Sequence, residues 1–256
     1  MTVSEKKYQC KVALKIIDSL LAQSSAIKVV DVRIGLGYTA VLLEDDRVGL
    51  AYTFREEAQS GCSVFHALRP ISGRPASDLI NLLRSTDPIE AAVGLACANA
   101  CTNQNSEKLQ TGDILGHLEL SPDDHVGMVG DFKPLVNTLS ERTRLLTVFE
   151  RIDKPQGYLR PIREIEALSQ CQVALITATS IINHTMDTLL GTAENCRKVV
   201  VLGASTPMLP EAFLETNVSM LSGVVAEQPM EVLRVVSEGG GMHLFKPYVR
   251  KVNLIL

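Results

Sequence analysis

The chain has 256 residues, 46% of them hydrophobic and 21% charged, with a formal net charge of −4. That length holds one large domain or two modest ones, each with a usable core, and the composition is that of a soluble globular protein. Mixed charges with a slight acidic excess offer no phosphate-seeking face, which argues against nucleic acid as a partner.

The opening MTVSEKKYQCKVALKIIDSLL spreads charges along its length, so it reads as an amphipathic helix rather than a signal peptide. Val12, Leu14, Ile16, Ile17, Leu20 and Leu21 recur at helical spacing, predicting one apolar face from about Glu5 to Ala22. No stretch approaches the apolar length of a membrane span. Six cysteines (10, 62, 97, 101, 171 and 196) without a CxxC pair fit reduced thiols packed as small hydrophobes in a cytoplasmic protein.

After this helix the period changes. Ile27–Ile34, Tyr38–Leu43 and Val48–Thr53 read as three strands joined by Gly35-Leu36-Gly37 and Glu44-Asp45-Asp46, an antiparallel meander. The polar stretch from Arg55 to Arg74 is too long for a simple connection, and loops of that length usually serve function. Ser77-Asp78 is expected to cap a short helix to Leu83, and Thr86-Asp87-Pro88 a longer one from Ile89 to Asn103. Cys97 and Cys101 share one face of that helix, and two ligands do not make a metal site, so they read as packing residues. Asn99, flanked by Ala98 and Ala100, must find partners either in the core or on a ligand. The polar stretch Gln104–Asp124 is expected to hold the domain boundary. His117 and His125 near it have no ligand cluster around them.

The second half is organised around Val126-Gly-Met-Val-Gly-Asp-Phe-Lys-Pro134, an apolar run that ends on Gly130 and turns into a helix opened by Pro134. Such a turn leaves a helix N-terminus facing solvent, a seat for an anionic or polar ligand. The strand Leu145–Phe149 follows, and Glu150 closes it at the position from which a carboxylate accepts from a vicinal diol. Further strands are expected at Val173–Thr177, Arg197–Leu202 and Val218–Val225, with helices at Ile162–Ser169, Ile181–Leu190 and Met230–Ser237. Apolar strands alternating with helices mean a parallel sheet covered on both faces. Polar and small residues gather at the strand ends: Gly130-Asp131, Glu150, Thr177-Ala178-Thr179 and Gly203-Ala204-Ser205-Thr206. That rim is where open α/β sheets bind ligands. Asn183, His184 and Thr185 stand in the first turn of the next helix, as caps or as ligand contacts.

The series VGMVGDFKPLV, VFE, ALITATSIINHT and VVVLGASTPMLP resembles the Putative heavy-metal chelation family. GLGYTAVLL, the Pro88 helix and its Ala98-Asn99-Ala100 segment resemble the domain that accompanies it. The resemblance implies an α/β chain: an enolase N-terminal-like α+β domain (1–110), then a Rossmann-like parallel α/β domain (120–256), with a site between them. It implies a role in heavy-metal chelation, by condensing or hydrolysing precursors of a flavin-, pterin- or siderophore-like molecule. The site residues carried over are Gly130, Phe132, Glu150, Thr177, Thr179, Asn183, Gly203, Ser205 and Thr206, with Gly37, Tyr38 and Thr39 from the first domain. The residues name no cofactor. The chain has no G-x-S-x-G elbow, so in an enzyme Glu150 is the acid–base candidate. The alternatives are a binding protein for a metal–small-molecule complex and a methyltransferase-like enzyme. In a competing reading the first domain serves only to form a homo-oligomer.

Overall fold

The computed structural model describes residues 10–57, 65 and 68–256. Helix α1 (Lys11–Ser24) buries Val12, Ala13, Ile16, Ile17 and Leu20 along one face. The expected stretch before Lys11 lies outside the described residues, except Cys10. The N–H groups that open α1 find an acceptor far along the chain, in the Asp187 carboxylate, 3.2 Å from the N–H of Val12.

Strands β1 (Val29–Ile34), β2 (Tyr38–Leu43) and β3 (Val48–Tyr52) form the expected antiparallel meander, with Ile34 opposite Thr39 and Tyr38 opposite Tyr52. A short α2 (Ala76–Ile80) continues as a tight turn to Arg84. Ser77 and Asp78 lie inside α2 instead of capping it, and Asp78 pairs with Arg74 at 3.1 Å. Asp87 caps α3 (Pro88–Thr102), accepting from the N–H of Ile89 at 2.8 Å, with Pro88 in the first turn. Alanine and glycine let α3 lie almost on the backbone of the meander. A Cβ at Gly49 would fall 2.0 Å from the Ala96 carbonyl oxygen and 2.1 Å from the Ala100 nitrogen.

The chain then crosses to a second, eight-stranded sheet through β4 (Gln110–Thr111). The sheet's other strands are β5 (His125–Val129), β6 (Leu145–Glu150), β7 (Leu159–Pro161), β8 (Val173–Thr177), β9 (Lys198–Leu202), β10 (Val218–Ala226) and β11 (Val249–Ile255). Their order is β4-β11-β10-β9-β8-β5-β6-β7. From β10 to β7 every pairing is parallel, while β11 runs antiparallel to β10 and β4 antiparallel to β11. The sheet is therefore mostly, not wholly, parallel. Helix α4 (Lys133–Arg142) follows β5.

Two expected elements differ. The stretch Ile162–Gln170 is a tight helix kinked at Glu164, not an α-helix. The expected helix Ile181–Leu190 is broken into α5 (Thr179–Ile182) and α6 (Met186–Thr192) at His184, whose φ of 58° is left-handed. β10 runs unbroken through Gly223, where the bare backbone admits the Met208 side chain and Thr206 carbonyl. Helices α7 (Pro229–Ser237) and α8 (Met242–Phe245) complete the chain. The apolar face of α7 (Val232, Leu233 and Val236) packs with Ala40, Leu42 and Leu50 of the meander, so the small sheet is covered on both sides.

Asn99 on α3 and Asn103, which caps the C-terminal end of that helix one turn on, join the halves. The amide of Asn99 donates to Leu50 O (2.7 Å) and Ser205 O (3.0 Å). That of Asn103 donates to Thr206 O (2.9 Å) and Val224 O (3.2 Å), and its oxygen accepts from the N–H of Met208 at 2.9 Å. Asn99 thus meets the core. No helix among the described residues is long and apolar enough to cross a membrane.

Candidate functional site

A cavity of about 760 Å³ opens between the carboxyl ends of β5, β6 and β8 and the end of the meander. Its floor begins where β5 runs out. Gly130 takes φ of 91°, and a Cβ there would press on Thr177 at 3.2 Å and the Phe132 ring at 3.4 Å. Glycine is required for both reasons. The Asp131 N–H that follows donates to Glu150 Oε2 at 3.0 Å, and the N–H of Arg151 to Glu150 Oε1 at 2.8 Å. Glu150 is thereby pinned by two main-chain donors from two strand ends. Asp131 Oδ1 is buried without a hydrogen-bond partner. Partial desolvation, with the charge and hydrogen bond of the Asp131 carboxylate, pushes the exposed Tyr158 phenol above its ordinary range.

On the β8 side the Thr177 and Thr179 hydroxyls bond each other at 3.0 Å. Asn183 Oδ1 accepts from the Thr185 hydroxyl at 2.7 Å. His184, between them, reaches across to Ser85 O at 2.8 Å through Nε2. A carbonyl only accepts, so Nε2 carries the proton, and Nδ1 is left buried without a partner.

The opposite wall comes from the first half. Tyr38 and Tyr52 are cross-strand neighbours whose rings meet edge to face at 5.8 Å, and Tyr52 meets Phe54 at 5.1 Å. The Arg151 guanidinium lies 5.3 Å from the centre of the Phe54 ring and pairs with Glu57, so the two halves touch across the cavity. Burial, reinforced by Tyr52, pushes the Tyr38 phenol up to about 12, leaving it a hydrogen-bond donor at neutral pH.

Of the residues expected from sequence, Tyr38, Gly130, Phe132, Glu150, Thr177, Thr179 and Asn183 line this cavity, whereas Gly37, Thr39, Gly203, Ser205 and Thr206 do not. Thr39 is buried against the Thr53 hydroxyl at 2.9 Å. Gly37 sits in the hairpin, its carbonyl accepting from the N–H of Thr53. Ser205 turns to the seam, where its hydroxyl accepts from the N–H of Tyr52 at 2.9 Å, and Thr206 is fully buried beside it. Gly203 backs the Phe132 ring from outside, a Cβ there lying 3.6 Å from it. Asp131 of the expected rim, Thr185 of the next helix start and Arg55 at the head of the long polar stretch line the cavity too, whereas Tyr52, Phe54, Arg151 and Ser180 line it without having been singled out. For Arg151, adjacency to Glu150 was the available signal.

Among the described residues no group of three or more His, Cys, Asp or Glu side chains is placed to hold a metal ion. Soft heavy metals favour thiolate and imidazole, and the cavity wall presents carboxylates, hydroxyls and an amide. These donors do not fit a soft heavy metal held by the protein itself. Burial keeps the Cys97 thiol well above its usual range, while the Cys97 hydrogen bond and the Arg47 guanidinium draw Cys101 below it. Neither lines the cavity.

Fold and cavity together define a Rossmann-like α/β protein with an α+β unit packed over the carboxyl rim of its sheet. The chain belongs to the Putative heavy-metal chelation family: two family models with that description match residues 17–102 and 113–255. It is similar to an uncharacterized protein of Methanocaldococcus jannaschii, 25% identical over 248 residues and covering 93% of this chain and 94% of the relative. A solved structure of a protein with unknown function from Pyrococcus horikoshii superposes with a TM-score of 0.84 at 23% identity, covering 96% and 100% of the two chains. Another, from Desulfitobacterium hafniense, gives 0.79 at 21% identity over 95% and 98%. Both solved proteins are described as members of the same family, and at that identity the likeness shows a shared fold.

Proposed function

We propose that this protein captures a small molecule with metal-chelating groups in the cleft between its halves, the metal arriving as cargo of that molecule. The observation that carries this reading is the cavity itself, about 760 Å³ and walled by both halves, a size and position usual for small-molecule sites. Its groups are suited to orienting a ligand: the Thr177–Thr179 hydroxyl pair, the Asn183 amide, the Tyr38 phenol and Asp131. Glu150 is the acid–base candidate for a condensation or hydrolysis. Both its oxygens are engaged by main-chain N–H groups, which supports a role in shaping the rim and favours capture over chemistry. The free thiols at the described positions 10, 97, 101, 171 and 196 accord with work in a reducing cytosol.

Native mass spectrometry of the purified protein, with elemental analysis of the same sample, tests this. The expected result is a small organic molecule at about one per chain, with any metal leaving together with it on denaturation. Metal retained in stoichiometric amount without an organic partner would sink the proposal.

A further inference from the structure

We infer that the cleft selects a planar, positively charged small molecule over a phosphate-bearing one, an inference that rests on the cleft being the ligand site. In open α/β sheets the turn after the first strand offers its N–H groups to phosphate. Here the Asp131 N–H is 3.0 Å from Glu150 Oε2, so a carboxylate of the protein stands where a phosphate oxygen would accept. An incoming phosphate would meet that charge and the neighbouring Asp131.

The charges around the cavity give the same sign. Glu56, Glu57, Asp131 and Glu150 face Arg55 and Arg151, four negative against two positive. Both arginines have partners: Arg151 pairs with Glu57, and Arg55 lies 4.0 Å from Glu56. The uncompensated carboxylates are Asp131 and Glu150, side by side on the sheet rim. Among the described residues Asp131 Oδ1 is buried with no hydrogen-bond partner, a site that asks for a donor, although the Tyr158 phenol bonds the same carboxylate. Across from it stand the rings of Tyr52 and Phe54, with Phe132 on the rim itself. Carboxylates opposed to aromatic faces recognise flat cations through charge, hydrogen bonding and ring quadrupoles together.

The chain contains no tryptophan, so Tyr52→Trp installs a sole fluorescent reporter in the cleft wall. The probes are two acridines of like shape and opposite charge, proflavine as the cation and acridine-9-carboxylate as the anion. Both are titrated by quenching of that reporter and by fluorescence polarisation with the unmodified chain. Proflavine is expected to bind about tenfold or more tighter, and its affinity is expected to fall as salt is raised. Asp131→Asn should weaken proflavine about ten- to a hundredfold, as loss of a charged acceptor does, and strengthen the anion by removing a like charge. Equal or tighter binding of the anion with quenching, or a proflavine affinity indifferent to salt, would overturn the charge selection and leave the cleft reading intact. If neither probe quenches the reporter, the cleft reading falls and this inference falls with it. The salt series needs no substitution at Asp131, so it decides the matter even if that variant fails to fold.

Discussion

Glu150 shows how a residue's place in the sequence and its role in the fold diverge. Its position after an apolar strand marks it for ligand contact, yet the fold engages it first as an acceptor for two N–H groups. Glu150→Gln turns an NH₂ toward one of those donors, so we expect a loss of about 1–3 kcal/mol in urea unfolding. Wild-type stability in that variant would show that the rim does not depend on the carboxylate. Tyr38 gives a prediction in pH. Its folded value of about 12 lies above the unfolded 10, so the protonated phenol favours the folded state. That contribution is complete below pH 10 and is lost as pH rises from 10 toward 12. A spectrophotometric titration should show Tyr38 among the late-ionising members of the five tyrosines, and Tyr38→Phe should reduce the amplitude of that late step by one tyrosine.

At the scale of elements, strands ending in glycine, threonine or glutamate were readable because a buried strand is continuously apolar and its end is not. β5, β6, β8 and β9 are of this kind. β11 was missed because Val249–Ile255 alternates and follows a glycine-rich stretch, so it carries no buried-strand signature. The rim at residues 203–206 misled for a different reason. Small polar residues at a strand end look alike whether the chain leaves toward the cleft or toward the neighbouring half, and here it leaves toward α3. Beyond Tyr38, the aromatic wall was illegible because register with β2 places Tyr52, with Phe54 two residues on, and registers are set by tertiary packing. α3 itself is tightly constrained by Gly49. Gly49→Ala drives a methyl into helix backbone, and overpacking of this kind costs about 1–3 kcal/mol or more, measurable as a lowered Tm. On the same helix, Cys97→Ala with Cys101→Ala should leave metal content unchanged by elemental analysis. A stoichiometric loss in the folded double variant would make the pair a chelating site.

For the whole molecule, the family description and the donor set pull apart. The chain belongs to a family described by heavy-metal chelation, while its cavity is walled by hydroxyls, carboxylates and aromatic rings. A metal carried inside an organic ligand reconciles the two. The seam makes the halves one thermodynamic unit. Asn99→Ala removes donors from two buried carbonyls, an expected cost of about 2–4 kcal/mol, and both halves should still melt in one calorimetric transition. Two separated transitions in the wild type would contradict this.

The paired asparagines at the end of α3 also bear on how the proposed capture would work. Many two-part binding proteins work as jaws, hinging shut on their cargo. Prising these halves apart would strip the side-chain amides of Asn99 and Asn103 from three carbonyls of the second half, Ser205, Thr206 and Val224, in a buried seam, where an unmet polar group is costly. On the proposed reading the cleft is therefore expected to act as a socket of fixed bore, with affinity set by fit instead of by closure, and crystals grown with and without cargo should superpose in the placement of their halves.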